Sequence, residues 1–162
     1  MKNKEKDEYI EKPRRLLENP DAKLSMYIND ISRLFIHRAK RAAEQSGIPA
    51  GYHRVLSELG RNDGITQLEL ARLTRLSAPT VSVAITKMEG EGLVRRETDQ
   101  ADMRHLRVFL TDKGRESVLK VRTAFREADS ALAAGLTEEE LAVIMPLLRK
   151  LLVHYLDEED KA

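Results

Sequence analysis

The sequence predicts a mainly α fold with one small β-hairpin, and three observations carry that expectation. Apolar residues recur at spacings of three and four through most of the chain, which is the helical period. Thr66-Gln-Leu-Glu69 and Thr137-Glu-Glu-Glu140 have the Thr-x-x-Glu form of a capping box, in which each side chain accepts from the other residue's backbone amide. Leu106, Val108 and Leu110 instead alternate, as on one face of a strand, and the short β-prone run Leu93–Glu97 precedes them. Aromatics make up 4% of 162 residues, so the core must come from Leu, Ile, Val and Ala, a composition that favours helices.

Residues 1–20 alternate Lys and Glu around Pro13 and Pro20 and read as a charged, flexible N-terminal arm. Their other reading is a short arm that packs Tyr9, Ile10, Leu16 and Leu17 on a partner subunit. A strong helical pattern begins at Asp21, with Leu24, Tyr27, Ile28, Ile31, Leu34 and Phe35 in one apolar stripe. It stops near Ser46-Gly47, with Pro49 beyond. A shorter helix turns Tyr52, Val55, Leu56 and Leu59 inward, and Asn62-Asp63-Gly64 closes it as a turn.

The helix opened by the first capping box carries Leu68, Ala71 and Leu73, and breaks at Thr74-Arg-Leu-Ser77. Ser77 can cap the next helix, with Pro79 in its first turn, through Val81, Ile85 and Met88 to Gly90 or Gly92. Two short helices about three residues apart make a helix-turn-helix. The hairpin that follows, with the polar loop Thr98–His105 between its strands, is a wing.

Thr111 then caps a long helix through Val118, Val121, Phe125 and Leu132 to near Gly135. The second capping box opens a last helix, striped by Leu141, Ile144, Leu148, Leu151, Leu152 and Tyr155, in which Pro146 should make a kink or shift a hydrogen bond. The terminal helices carry more apolar surface than so small a core can cover, which points to a second copy of the chain. The expected organisation is an arm (1–20), an N-terminal dimerisation helix (21–48), a winged helix-turn-helix domain (49–112) and C-terminal dimerisation helices (113–162).

The net charge of +1 hides a local skew. Arg33, Arg38, Lys40, Arg41, Arg54 and Arg61 cluster against only Glu44 and Glu58, while the chain ends on Asp157-Glu-Glu-Asp160. Without cysteine there is no disulfide framework or thiol nucleophile. No segment reads as a membrane span or signal peptide, so cytoplasmic residence and no membrane partner are expected. No G-x-S-x-G or H-E-x-x-H spacing is present, and the expectation is a protein that is not an enzyme and has no cofactor.

With Val81, Ile85 and Met88 inward, the helix from Ser77 presents Ser77, Ala78, Pro79, Thr80, Ser82, Val83, Thr86 and Lys87 outward. Hydroxyls there can bond phosphates or base edges, and methyl groups can meet thymine in the major groove of double-stranded DNA. An arginine at the wing tip, Arg104, can enter the minor groove, with Asp102 two residues earlier to orient it. Arg95, Arg96 and Arg107 on the strands are placed to meet phosphates.

Asp102-x-Arg104, followed by five residues and Leu110-Thr111, matches the pattern D-x-R-x-x-x-x-x-L-T. Around it stand Leu70-Ala71, Ala78-Pro-Thr-Val-Ser82, Met88-Glu89, Glu91-Gly-Leu-Val-Arg95 and Thr111-Asp-Lys-Gly114. In these residues the chain resembles the MarR-type regulators, the multiple-antibiotic-resistance family of winged-helix repressors, over most of its length after the arm. The resemblance implies a homodimer held by its terminal helices on a pseudo-palindromic operator. It makes Ser77–Lys87 the recognition helix, Arg104 the minor-groove wing residue and Asp102 its orienter. It also implies a small aromatic or anionic effector, bound between the dimer helices and the DNA-binding lobe, that lowers operator affinity.

Two positions depart from the family. Arg75 stands where members often have Gly, which implies strain if its φ is positive, and Pro146 interrupts the last helix. Tyr27, Arg38, Tyr52 and His53, near where the first two helices should meet, are the candidate effector contacts. The competing readings are a winged-helix dimer acting through a protein partner and a metal-responsive regulator. His37, His53, His105 and His154 are isolated in sequence, so no metal ligands are assigned.

Overall fold

A computed structural model describes residues 13–99, 103 and 106–161. After a helical turn at 13–17 come α1 (Leu24–Gln45), α2 (Tyr52–Leu59), β1 (Ile65–Thr66), α3 (Gln67–Thr74) and α4 (Ala78–Gly90). They are followed by β2 (Val94–Thr98), β3 (Leu106–Leu110), α5 (Asp112–Ala133) and α6 (Glu138–Glu159). The chain divides into two compact units, Met1–Ala128 and Asp129–Ala162.

The starts and stops follow local chemistry. Thr66 accepts the Glu69 amide and Glu69 the Thr66 amide, closing the first capping box; Thr137 and Glu140 do the same for α6. The Thr66 hydrogen bonds also hold the Glu69 carboxyl below its usual pKa. α1 ends where Gly47 takes φ 85 and Ile48 donates back to the Ala43 carbonyl. Its first residue is Leu24 rather than Asp21, because Lys23 ahead of it is extended. α6 runs through Pro146 as one helix.

The expected two-stranded hairpin is a three-stranded antiparallel sheet in the order β1-β3-β2. Val94 pairs with Leu110 and Thr98 with Leu106, while Ile65 pairs with Val108 on the other edge. β1 has two residues, too few to show any alternation in sequence.

The core of the first unit gathers Val55, Leu56, Leu59, Leu70, Val81, Ile85, Met88, Val108 and Val121, all essentially inaccessible. α1 contributes to it not with the front of its apolar stripe but with Ala39 and Ala43. Leu24, Tyr27, Ile28 and Ile31 remain exposed, and Leu34 and Phe35 are half-buried. No residue of α6 is buried. Leu148, Leu152 and Tyr155 are exposed, and Leu141, Ile144 and Leu151 only partly covered. No described helix is long and apolar enough to cross a membrane.

Candidate nucleic-acid interface

α4 is built to present one face. Ser77, extended at φ −67 and ψ 147, accepts the Thr80 amide at the helix start, and Pro79 sits in the first turn. Val81, Ile85 and Met88 fall on one side at helical spacing and are fully buried. The eight residues assigned from sequence, Ser77, Ala78, Pro79, Thr80, Ser82, Val83, Thr86 and Lys87, are all exposed. Val83 keeps 57% of its surface in solvent, an apolar side chain left out of a core that had room for its neighbours.

The wing strands are locked to this helix. The Arg96 guanidinium pairs with Glu89 at 3.3 Å and donates to the Thr86 hydroxyl at 2.7 Å, while the Arg96 amide donates to Glu89 at 3.1 Å. Arg95 donates to Glu97 at 2.6 Å and to the Leu110 carbonyl at 3.1 Å, with its guanidinium over the Phe109 ring. Arg107 donates to Asp99 at 2.7 Å and to the Gly64 carbonyl at 2.9 Å, and the Asp99 hydrogen bond raises its already high pKa. All three strand arginines are therefore paired with carboxylates that hold the wing's own geometry. Asp102 and Arg104 lie outside the described residues; their neighbour Met103 is exposed.

The junction of wing and α5 is held by long-range contacts that sequence reading passed over. Asp63 accepts the Leu110 amide at 2.8 Å and an Arg115 Nη1 donor at 3.0 Å, so one turn carboxylate ties β3 to α5. Thr111 accepts the Gly114 amide, capping α5 as expected, and donates to the Gly92 carbonyl at 2.6 Å just beyond α4. Gly114 is packed so closely there that a Cβ would overlap the Leu93 carbonyl oxygen. The turn Asn62-Asp63-Gly64 and the run Thr111-Asp-Lys-Gly114 were visible as signals, but their partners lie far away in sequence.

In the first unit a cleft of about 470 Å³ opens between α1, α2, α3 and α5. Ile36, Leu73, Val121 and Phe125 give it apolar walls, with Arg54, Arg61, Arg122 and Glu58 among its polar lining. Of the four candidate effector contacts, His53 lines the cleft and Tyr27, Arg38 and Tyr52 do not. The His53 ring stacks on Phe125 at 6.2 Å between centroids. Burial, and then the charges of Lys40 and Arg54, push its pKa down to about 4. Tyr52 is buried and donates its hydroxyl to Glu91 at 2.9 Å; burial and that carboxylate push its pKa up to about 12. Phe125, Arg61 and Arg122 escaped the sequence reading because their approach to His53 depends on tertiary packing. Among the described residues, no three His, Asp or Glu side chains gather to hold a metal ion.

A profile described as MarR family matches residues 46–105, the span from the end of α1 into the wing loop. The HTH-type transcriptional regulator BilQ of Clostridium symbiosum is 29% identical over 112 residues, covering 69% of this chain and 78% of that protein. The crystal structure of MepR, a transcription regulator of the Staphylococcus aureus multidrug efflux pump MepA, aligns with a TM-score of 0.73 and 27% identity, over 82% of this chain and 98% of that one. A mutant of MepR bound to an oligodeoxyribonucleotide aligns over the same shares with a TM-score of 0.59 and 28% identity.

Proposed function

We propose that the chain is a member of the MarR family of winged-helix, DNA-binding transcription regulators, to which it is similar, and that it is a ligand-responsive repressor that binds a pseudo-palindromic operator as a homodimer. The observation that carries the reading is α4. Val81, Ile85 and Met88 are sealed in the core, and every residue assigned to the recognition helix is exposed on a helix that Arg96 joins to the wing. In this reading residues 49–112 form the DNA-binding domain and Ser77–Lys87 the recognition helix, with Arg104 in the minor groove and Asp102 orienting it. Residues 21–48 and 113–162 join two copies, and 1–20 is an arm beside them.

The effector role falls to the cleft at His53. Its apolar walls and rim arginines suit a small aromatic anion, with Arg54, Arg61 and Arg122 as the charge partners. The relatives that support this reading are transcription regulators, so no catalysis is included in it. MepR bound to an oligodeoxyribonucleotide lends support to duplex DNA as the partner.

Enriching duplexes from a random pool on the purified protein tests the reading and yields the operator. The enriched sequence should contain two related half-sites. Arg104→Ala should then bind that duplex roughly tenfold to a hundredfold more weakly while keeping the wild-type melting temperature. Unchanged affinity of that variant removes Arg104 from the interface.

A further inference from the structure

The turn between α3 and α4 holds a residue whose backbone works against its side chain. Arg75 takes φ 53 and ψ 36, the left-handed region in which a Cβ crowds the following carbonyl. Among the described residues it is the one residue other than glycine with positive φ. The Arg75 amide donates to the Arg72 carbonyl and the Leu76 amide to the Ala71 carbonyl, each at 3.2 Å. These bonds reverse the chain out of α3 and deliver Ser77 to α4. Glycine would make the same turn without strain.

Nothing among the described residues accounts for the side chain either. It is exposed and makes no hydrogen bond, ion pair or ring contact among the described residues. Arg95, Arg96, Arg107 and Arg115, by contrast, all have partners within the winged unit. A strained arginine kept where glycine would make the same turn points to a partner outside the fold. Arg75 is two residues from Ser77, at most about 7 Å along an extended chain, so its guanidinium shares the exposed end of the recognition helix.

We propose that Arg75 binds a phosphate of the DNA backbone at the edge of the groove that α4 enters. This rests on the DNA-binding reading above and adds a contact outside Ser77–Lys87 and the wing. The planar guanidinium offers all its N–H donors, and its fork matches two phosphate oxygens. A phosphate contact at this point sets the register and angle of α4 without reading a base.

Arg75→Gly tests it, because turn strain and DNA contact predict effects of opposite sign. The variant should melt about 2–4 °C higher than wild type, since the strain is gone. It should bind the enriched duplex roughly tenfold more weakly, and lose as much on an unselected duplex of equal length. The dependence of log K on log salt should become shallower by about one per bound subunit. Arg75→Lys, which keeps both charge and strain, should stay close to wild type in melting and retain most of the affinity. Wild-type affinity and salt slope in Arg75→Gly overturn the proposal. So does a loss confined to the enriched duplex at unchanged salt slope, which would make Arg75 a base reader. If the wild-type protein enriches no duplex, the DNA-binding reading itself fails, and this proposal with it.

Discussion

The winged unit and the last helix solve the same problem, covering apolar side chains, to very different extents. Between α2 and the start of α5, Val55, Leu56, Leu59, Leu70, Val81, Ile85, Met88 and Val108 are fully buried within one chain. Its polar groups are tied with equal care, by Asp63 to the Leu110 amide and by Thr111 to the Gly92 carbonyl. On α6 the apolar side chains are as numerous, yet none is buried, and Tyr155 keeps 68% of its surface in solvent. The first region gets its stability from its own chain. The second carries a stripe whose burial the single chain does not provide, which is the physical ground for the proposed homodimer.

The largest expected effect breaks the winged unit at its tightest point. Gly114→Ala puts a methyl group onto the Leu93 carbonyl oxygen, where backbone rather than a flexible side chain must yield. Overpacking against a fixed group should cost about 3 kcal/mol, read as a lower urea midpoint with the loss independent of protein concentration. A variant with wild-type stability would mean that the joint between α4, the wing and α5 has slack.

Leu152→Ala sharpens the contrast from the other side. Leu152 is 62% exposed in the single chain, and truncating a side chain left in water should shift stability by less than about 0.5 kcal/mol. If a second copy covers it, the loss should instead be about 2 kcal/mol, and the melting temperature should fall further on dilution. Melting curves over a hundredfold range of protein concentration separate the two outcomes, and a small, concentration-independent shift removes Leu152 from the dimer interface.

The same contrast explains what could be read from sequence. Short-range signals were readable: the Thr66 and Thr137 boxes, the Ser77 cap, and the spacing that turns Val81, Ile85 and Met88 inward each depend on residues within a turn or two. The apolar stripe of α1 was readable too, although periodicity marks such a stripe without saying which part of it the core reaches. Ala39 and Ala43 are buried, and the larger Leu24 and Ile28 are not. β1 has no pattern of its own and exists because β3 offers it an edge. The ties of Asp63 and the cleft at His53 join residues dozens of positions apart, which no local pattern encodes.

The smallest expected effect tests how closely α4 is fastened to α2. The Tyr52 hydroxyl donates to Glu91 beyond the end of α4, and Tyr52→Phe removes that bond without opening a cavity. Glu91 is exposed, so its carboxylate regains water instead of being left unpaired, and the cost should be only about 0.5–1 kcal/mol. The pH dependence reports the burial of the hydroxyl together with that bond. With the folded-state pKa pushed from 10.0 to about 12, the unfolded chain gives up the phenol proton first as pH rises. The stabilisation is therefore complete below pH 10 and lost between pH 10 and about 12. Wild type should lose stability relative to Tyr52→Phe across that window, in urea titrations run in parallel. Parallel curves for the two proteins would show that the hydroxyl is neither buried nor bonded to Glu91.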